Sequence, residues 1–258
     1  MSEDFVSVTE ISGDEVSAEQ VERICRRYYW AGDYCVGKDV LEVACGTGQG
    51  VGYLGGLASS FVAGDFSDTI LRIARNHYGE RFEFRQFDAQ RMPYADSSFD
   101  VVIIFEAIYY LPNLDQFFAE CKRVLRPGGT LLIATANKDL YDFNPSPHSI
   151  RYLGVAEMNT ELKRFGFACD FFGDTPVSAV SKRQRILRPV KMIASKLGLI
   201  PKTTGGKKFL KRLVFGGLVK MPAEITESTC RRTEPIPLAR DVPDSGYKVI
   251  FCAANLSS

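Results

Sequence analysis

The sequence predicts an α/β fold with a doubly wound, mostly parallel β-sheet that closes on one antiparallel C-terminal strand. Three observations lead to this prediction. Short apolar runs alternate with helical patterns between residues 17 and 172, which is typical of a parallel sheet covered on both faces. The first apolar run leads directly into a glycine-rich turn. The last apolar run, residues 247–254, follows its predecessor only after about 70 residues, which indicates an insertion before the final strand.

The first helix is predicted over residues 17–35. Ser17 and Gln20 have the spacing of a capping box, and Val21, Ile24 and Tyr28 follow at helical intervals. Residues 1–36 are therefore predicted to form an N-terminal helical lid. Its aromatic residues are expected either to close over a ligand or to form ordinary core.

The remaining elements follow from changes in the hydrophobic period. Strands are predicted at residues 38–44, 60–65, 81–88, 98–105, 130–136, 166–172 and 247–254, and helices at 68–77, 114–125 and 155–164. Residues 37–176 and 246–258 thus constitute one ligand-binding domain, and residues 177–245 form a basic insertion or cap.

The composition excludes several classes of protein. With 45% hydrophobic and 24% charged residues, the chain of 258 residues is expected to be globular rather than disordered. No apolar stretch approaches the ~20 residues of a membrane span. The acidic N-terminus lacks an apolar signal core, and the seven cysteines form no CxxC pair. We therefore expect a cytoplasmic protein with neither a disulfide framework nor a zinc site.

A net charge of +1 conceals a marked asymmetry. Residues 177–220 contain 12 basic and no acidic residues, which leaves 20 basic against 31 acidic residues elsewhere. Apolar residues recur between the lysines and arginines near helical spacing, as in basic amphipathic helices that lie on anionic surfaces. The segment is expected to meet an anionic acceptor or the surface of a membrane, or else to pack beside the acidic body of its own chain.

The glycine-rich turn at residues 45–50 does not fit two common nucleotide motifs. In a dinucleotide fingerprint starting at Gly46 the third glycine position is Val51, and starting at Gly48 it is Tyr53. A later match that starts at Gly50 lies six residues beyond the strand end. Residues 204–208 lack the glycine spacing and the Ser/Thr of a phosphate-binding loop.

Five segments in order carry a resemblance to a known family. They are VLEVACGTG at 40–48, GD at 64–65, FDA at 87–89, SFD at 98–100 and VLRPGG at 124–129. With them the chain resembles the class I S-adenosylmethionine-dependent methyltransferases, particularly the ubiquinone/menaquinone-biosynthesis type. The resemblance implies a Rossmann-like fold, methyl transfer, S-adenosylmethionine as cofactor, S-adenosylhomocysteine as product and no metal.

The same resemblance implies a set of cofactor contacts. Asp65 would accept hydrogen bonds from the ribose hydroxyls, Asp88 and the Ala89 amide would bind adenine, and Glu42 would lie near the methionyl ammonium group. Ala44 stands where the motif usually has its first glycine. The complete set of implied cofactor-binding residues is Tyr29, Glu42, Ala44, Gly46, Thr47, Gly48, Asp65, Phe66, Asp88, Ala89 and Phe105.

The catalytic residues are less clearly indicated. His148, one of two histidines, lies in a loop after the fifth predicted strand, where relatives build the acceptor site, and it is the first candidate for a general base. Glu106 and Tyr110 are further candidates. Many relatives carry His at the position of Tyr110, and a tyrosine with a pKa near ~10 is a poorer base at neutral pH.

The predicted activity is methyl transfer, favouring oxygen, to an anionic small-molecule, glycan or lipid-linked acceptor. Contact with a membrane surface through residues 177–220 would make the cytoplasmic protein peripheral to that membrane. A nucleic-acid methyltransferase is an alternative, although the chain has no Asn-Pro-Pro-Tyr-like tetrapeptide and no added RNA-binding module. A second alternative is a protein that binds S-adenosylmethionine without catalysis.

Overall fold

The computed structural model describes residues 9–179 and 217–257. An eight-stranded mixed sheet has the order β4-β3-β2-β5-β6-β10-β7-β9. Its strands are β2 (Asp39–Val43), β3 (Ser60–Asp65), β4 (Glu83–Gln86), β5 (Phe99–Phe105), β6 (Leu125–Ala136), β7 (Phe167–Pro176), β9 (Ile236–Leu238) and β10 (Tyr247–Leu256), and a separate two-stranded ribbon pairs β1 (Glu15–Ser17) with β8 (Leu218–Lys220).

The sheet confirms the predicted fold class. Strands β4, β3, β2, β5 and β6 pair in parallel, and β10 lies antiparallel between β6 and β7. The short strand β9 extends the edge by pairing antiparallel with β7. The carboxyl ends of β2, β3 and β5 therefore meet at one edge, where open α/β sheets bind ligands.

Five helices flank the sheet in the described residues: α1 (Ala18–Cys35), α2 (Val51–Leu57), α3 (Asp68–Tyr78), α4 (Leu114–Val124) and α5 (Val155–Arg164). The capping box predicted for α1 is present, since Oγ of Ser17 accepts a 3.3 Å hydrogen bond from the Gln20 amide and the Gln20 side chain accepts one from the Ser17 amide. The apolar side chains of α1 to α3 pack on one face of the sheet, and those of α4 and α5 pack on the other.

The boundaries of several strands differ from the prediction. The strand predicted at 81–88 is confined to Glu83–Gln86. The strand predicted at 130–136 begins earlier, at Leu125, because the register of β6 on β5 moves from Phe99–Leu125 to Val101–Thr130 and residues 126–129 form a bulge. A bulge keeps both flanking residues paired, so local glycine and proline residues did not end the strand.

The predicted basic insertion is described only in part. Residues 180–216, which carry 11 of its 12 basic residues, lie outside the described residues, as do the amphipathic patterns within them. The part from residue 217 onward contacts the first three helices. Its strand β8 pairs with β1, and the Ile225 amide donates a 2.7 Å hydrogen bond to the carbonyl of Gln49.

None of the helices in the described part of the chain has both the length and the apolar character needed to cross a membrane.

Candidate cofactor and acceptor site

A cavity of about 700 Å³ lies at the carboxyl ends of β2, β3 and β5, beneath α1 and the segment that precedes it. Its walls combine backbone of the glycine-rich turn, acidic side chains at strand ends and aromatic rings. The volume falls in the range of sites for small molecules and cofactors.

The turn after β2 uses left-handed backbone conformations. Ala44 has φ 55° and Gly46 has φ 60°, and both line the cavity. An alanine in this region is strained, whereas glycine adopts it freely. This left-handed backbone explains why the motif usually has glycine at the position of Ala44. In this chain the alanine adopts it nonetheless.

Asp65, at the end of β3, holds this turn in place. Its Oδ2 accepts a 3.0 Å hydrogen bond from the Gly46 amide and its Oδ1 accepts one of 2.9 Å from the Ser67 amide. Burial raises the pKa of the carboxyl group, although the backbone donors oppose that change. Each oxygen of a carboxylate can accept further hydrogen bonds, so Asp65 can bind two additional donors from the cavity that it lines.

Phe66 and Ala89 lie on the cavity wall near the ends of β3 and β4. The Phe66 ring is 47% exposed, although it is a large apolar side chain. Asp88 also lines the cavity, and its Oδ1 accepts a 2.8 Å hydrogen bond from the Gln90 amide. An exposed ring beside an acceptor group suits a flat heteroaromatic ligand.

Glu42 is buried behind the cavity wall, and its side chain is not part of the lining. It is 1% exposed, and Oε1 accepts a 2.7 Å hydrogen bond from the hydroxyl of Tyr28, which does line the cavity. Burial raises the pKa of Glu42 to about 7. Its Oε2 has no hydrogen-bond partner among the described residues.

Besides Glu42, three predicted cofactor-binding residues do not reach the cavity. Tyr29 points the other way and donates a 2.6 Å hydrogen bond to the carbonyl of Thr226. Thr47 is 1% exposed and bonds to Ser12. Gly48 contributes its carbonyl to a 2.7 Å hydrogen bond from Tyr78. Their positions support the walls of the site rather than contact with a ligand.

Residues from the N-terminal side complete the cavity, and sequence reasoning missed them. Thr9 and Glu10 line it, and Glu10 forms a 3.0 Å ion pair with Arg27 of α1. Arg23, one helical turn before Arg27, also lines the cavity. The four-residue spacing of the two arginines places them on one face of the helix. This spacing is the sequence signal from which their shared position could have been predicted.

Glu106 follows β5 at the other end of the cavity. It has φ 52° and accepts a 3.3 Å hydrogen bond from the hydroxyl of Tyr109. Burial raises the pKa of Glu106, while the charges of Arg27 and Arg23 oppose the rise. Phe105, the last residue of β5, lies on the same wall.

Tyr110 and His148 have different positions. Tyr110 lines the cavity, its hydroxyl lies 2.6 Å from Oγ of Ser146, and burial raises its pKa above the ordinary value of 10. His148 is exposed on the loop and is not part of the cavity lining. The structure therefore does not bring His148 to the site, because the loop turns its Ser146 and Ile150 inward instead.

No group of three or more potential metal ligands occurs among the residues that the structure describes.

Comparison with known proteins identifies the domain. Residues 41–133 match a family model described as a methyltransferase domain. A probable S-adenosylmethionine-dependent methyltransferase of Mycolicibacterium smegmatis is 35% identical over 137 residues, which are 52% of this chain and 53% of that protein. A fatty-acid O-methyltransferase of the same organism is 42% identical over 106 residues, 39% of this chain and 38% of that protein.

Solved structures share the fold of this chain. The [4+2]-cyclase SpnF superimposes with a TM-score of 0.59 at 18% identity, covering 96% of this chain and 89% of that one. At such identity the likeness concerns the fold alone. The chain spans about half the length of the first curated relatives it matches.

The sheet order, the ligand-facing strand ends and the matched segment identify residues 41–133 as a methyltransferase domain of the class I S-adenosylmethionine-dependent type. This domain extends from β2 into β6.

Proposed function

We propose that this protein transfers a methyl group from S-adenosylmethionine to an oxygen of an anionic small-molecule, glycan or lipid-linked acceptor. The observation that carries the proposal is the position of Asp65. Its carboxylate is fixed by two backbone amides at the cavity edge, yet it retains acceptor capacity toward the cavity.

The described residues fit the parts of the cofactor. Asp65 would bind the two ribose hydroxyls, and Phe66, Asp88 and Ala89 would hold the adenine. Ala44, Gly46 and Phe105 would face the methionyl portion. The buried Oε2 of Glu42, which lacks a described partner, supports a cationic group or a bound water nearby.

The bound cofactor supplies a methyl group on a positively charged sulfonium, which is a good leaving group. The protein then has to align the acceptor oxygen with the methyl carbon and exclude water. Glu106 would accept a proton from an acceptor hydroxyl, and burial, which raises its pKa, makes it a stronger base than an exposed glutamate. An acceptor oxygen that is already ionised needs no base.

Two features support an anionic, lipid-like acceptor. Arg23 and Arg27 line the cavity together with apolar side chains. A relative that is 42% identical over the aligned region is named a fatty-acid O-methyltransferase. The basic segment 177–220 would add attraction to an anionic acceptor or to a membrane surface.

Calorimetric titration of the full chain with S-adenosylhomocysteine tests the cofactor assignment. We expect binding that Asp65→Ala weakens about 100-fold, since charge-assisted hydrogen bonds to two hydroxyls are lost. Asp68→Ala is the matched control, because Asp68 lies at the start of α3 outside the cavity lining and binds Arg72 and Arg75. No binding by the native chain, or equal binding by both variants, would contradict the proposal.

Transfer itself is tested with methyl-deuterated S-adenosylmethionine and a panel of phosphorylated glycans, lipid-linked phosphates and carboxylic acids. Mass spectrometry should find the labelled methyl on one acceptor class and locate it on oxygen. Label on nitrogen or carbon would contradict O-methylation while leaving the cofactor assignment intact.

A further inference from the structure

Arg23 lies on the cavity wall, where its charge interacts with that of Glu106 but no described acid is hydrogen-bonded to it. Its Nε is buried, and none of the described residues forms a hydrogen bond or an ion pair with its side chain. The other arginines of α1 are paired, Arg26 with Glu22 at 3.0 Å and Arg27 with Glu10 at 3.0 Å. A partly buried guanidinium without a partner carries a desolvation cost that a bound anion would offset.

Two arginines and two acids meet at this end of the cavity. Glu10 is paired with Arg27, and Glu106 is the acid whose charge interacts with Arg23. Asp65 and Asp88 lie near the ends of β3 and β4. Burial raises the pKa of Glu106, and the charges of Arg27 and Arg23 oppose the rise. A bound sulfonium would add a positive charge, and an anionic acceptor would balance it.

The lining also limits how an acceptor could be activated. Among the described residues it contains no histidine and no lysine, which leaves Glu106 as the candidate base, and burial raises the pKa of Tyr109 and Tyr110 above the ordinary value of 10. These tyrosines therefore stay protonated at neutral pH. A carboxylate, with a pKa near ~4, is ionised before it binds and requires no general base.

Apolar side chains surround this charge. Leu111, Pro112, Ile150 and Val249 line the cavity, and Ile150 is 59% exposed at its mouth. A ligand that fits both features has an acidic head and an apolar body.

We propose that Arg23 docks the carboxylate of the acceptor, that the acceptor is a carboxylic acid with an apolar body and that the product is its methyl ester. This inference rests on the proposed methyltransferase function and specifies its substrate class. A lone pair of the carboxylate oxygen forms the new oxygen–carbon bond, and the electron pair of the broken carbon–sulfur bond remains on sulfur. The anion and the sulfonium become a neutral ester and a neutral thioether, and no proton moves.

The test compares Arg23→Gln and Arg23→Lys with the matched control Arg26→Gln. Arg26 belongs to the same helix but binds Glu22 and Thr175 outside the cavity lining. The probes are a series of straight-chain acids from hexanoate to hexadecanoate, benzoate, and dodecanol and dodecylamine as uncharged or basic counterparts. The readouts are acceptor binding to the S-adenosylhomocysteine-loaded protein by calorimetry, and base-labile methyl transfer.

We expect an acid of this series to bind and to be methylated, with a product that alkali cleaves to methanol. Arg23→Gln should raise KM and the acceptor Kd at least tenfold, Arg23→Lys should restore part of the loss, and Arg26→Gln should behave as the native protein. The affinity for S-adenosylhomocysteine should remain within twofold in all three variants.

Other outcomes overturn the inference in distinguishable ways. S-adenosylhomocysteine binding without binding or methylation of any acid, or methyl transfer to dodecanol or dodecylamine alone, excludes a carboxylate acceptor. If Arg23→Gln weakens binding of S-adenosylhomocysteine but not of methylthioadenosine, which lacks the carboxylate, Arg23 holds the cofactor instead. Failure of the native chain to bind S-adenosylhomocysteine would reject the proposed function itself.

Discussion

The hydroxyl of Tyr28 donates a 2.7 Å hydrogen bond to Oε1 of Glu42, and this contact joins the cavity wall to an acid buried inside the sheet. Burial raises the pKa of Glu42 to about 7, although the bond to Tyr28 and the charge of Arg27 both lower it. The folded state therefore holds a proton on Glu42 in a pH range where the unfolded chain has released it.

This difference predicts how stability depends on pH. The pKa of Glu42 rises from 4.5 to about 7 on folding. Between pH 4.5 and pH 7 the Glu42 carboxyl is ionised in the unfolded state but still protonated in the folded state. Glu42 therefore lowers the free energy of unfolding increasingly over this range, and its effect is constant above about pH 7. Glu42→Gln removes this term, and the free energy of unfolding of the variant relative to the native protein should rise by roughly 2–3 kcal/mol between pH 5 and pH 8.

Urea unfolding at pH 5, 6, 7 and 8 measures this effect. The control is Glu80→Gln, an exposed glutamate that follows α3, which should give a curve parallel to that of the native protein. A Glu42→Gln curve that is also parallel would show that Glu42 does not retain its proton in the folded state.

Gly50 allows Tyr28 to reach Glu42. A Cβ at Gly50 would overlap the Tyr28 ring, whereas one at Gly56, on α2, would meet nothing within 4 Å. Neither glycine has a positive φ, so the alanine backbone fits at both positions. We expect Gly50→Ala to destabilise the protein by about 1–3 kcal/mol through overpacking, and Gly56→Ala to be neutral or to stabilise it by up to about 1 kcal/mol.

The measurement is again the free energy of urea unfolding for both variants. If Gly50→Ala costs no more than Gly56→Ala, the Tyr28 ring can move away without loss, and its bond to Glu42 contributes little to stability. Gly50 is the N-cap of α2, where alanine is less favourable than glycine by up to about 1 kcal/mol, so only a larger loss reports the overlap with Tyr28.

The sequence predicted those parts of the site that depend on strand ends. Asp65, Asp88 and Phe105 lie at or just after the ends of strands that alternate with helices, and parallel strands bring their carboxyl ends to one edge. Asp88 and Phe105 therefore line the same cavity as Asp65. The period of the apolar residues predicted where the strands end, and the resemblance to the methyltransferases implied which residues there bind the cofactor.

Site residues on helices and long loops were harder to predict, because the meeting of strand ends at one edge does not determine where their side chains point. Tyr28 and Tyr29 are neighbours on α1, yet one lines the cavity and the other bonds to Thr226. Successive residues on a helix point about 100° apart, and the sequence alone did not establish which face meets the sheet edge. For the same reason the sequence did not predict that Arg23 lines the cavity. His148 lies on a loop without periodicity, so the direction of its side chain could not be predicted either.

Phe66 provides a direct test of the adenine position. The ring is 47% exposed in the cavity wall, so Phe66→Ala should leave the melting temperature almost unchanged. Stacking of a base on an aromatic ring contributes about 1–3 kcal/mol, and we therefore expect binding of S-adenosylhomocysteine to weaken at least about fivefold by calorimetry. Phe66→Tyr should retain the affinity.

Val36→Ala is the control for loss of an exposed apolar side chain, because Val36 is 63% exposed outside the cavity lining. Its affinity for S-adenosylhomocysteine should equal that of the native protein. Equal affinity of Phe66→Ala and Val36→Ala would place the adenine away from this ring.

Glu224 connects the segment after the basic region to α3 through His77 and to Arg81, which follows that helix. Arg81 donates to both of its oxygens at 3.0 Å, and Nε2 of His77 lies 3.1 Å from one of them. The bond from Arg81 lowers the pKa of Glu224 below its ordinary 4.5. Its stabilising effect is thus complete above pH 4.5 and is lost as the pH falls through the lowered pKa.

Glu224→Gln should consequently reduce the melting temperature by about 2–4 °C at pH 7 and leave it nearly unchanged near pH 3. Glu83→Gln, which removes an exposed pair with Arg85, should have a smaller effect at both pH values.

In Glu224→Gln the Ile225 amide should exchange its hydrogen faster, because its hydrogen bond to the Gln49 carbonyl depends on the same segment. Gln49 lines the cavity and its Nε2 donates a 2.6 Å hydrogen bond to the carbonyl of Glu10. Faster exchange at Ile225 with an unchanged affinity for S-adenosylhomocysteine would show that this anchor stabilises the fold without shaping the cofactor site, whereas a loss of affinity would connect the two.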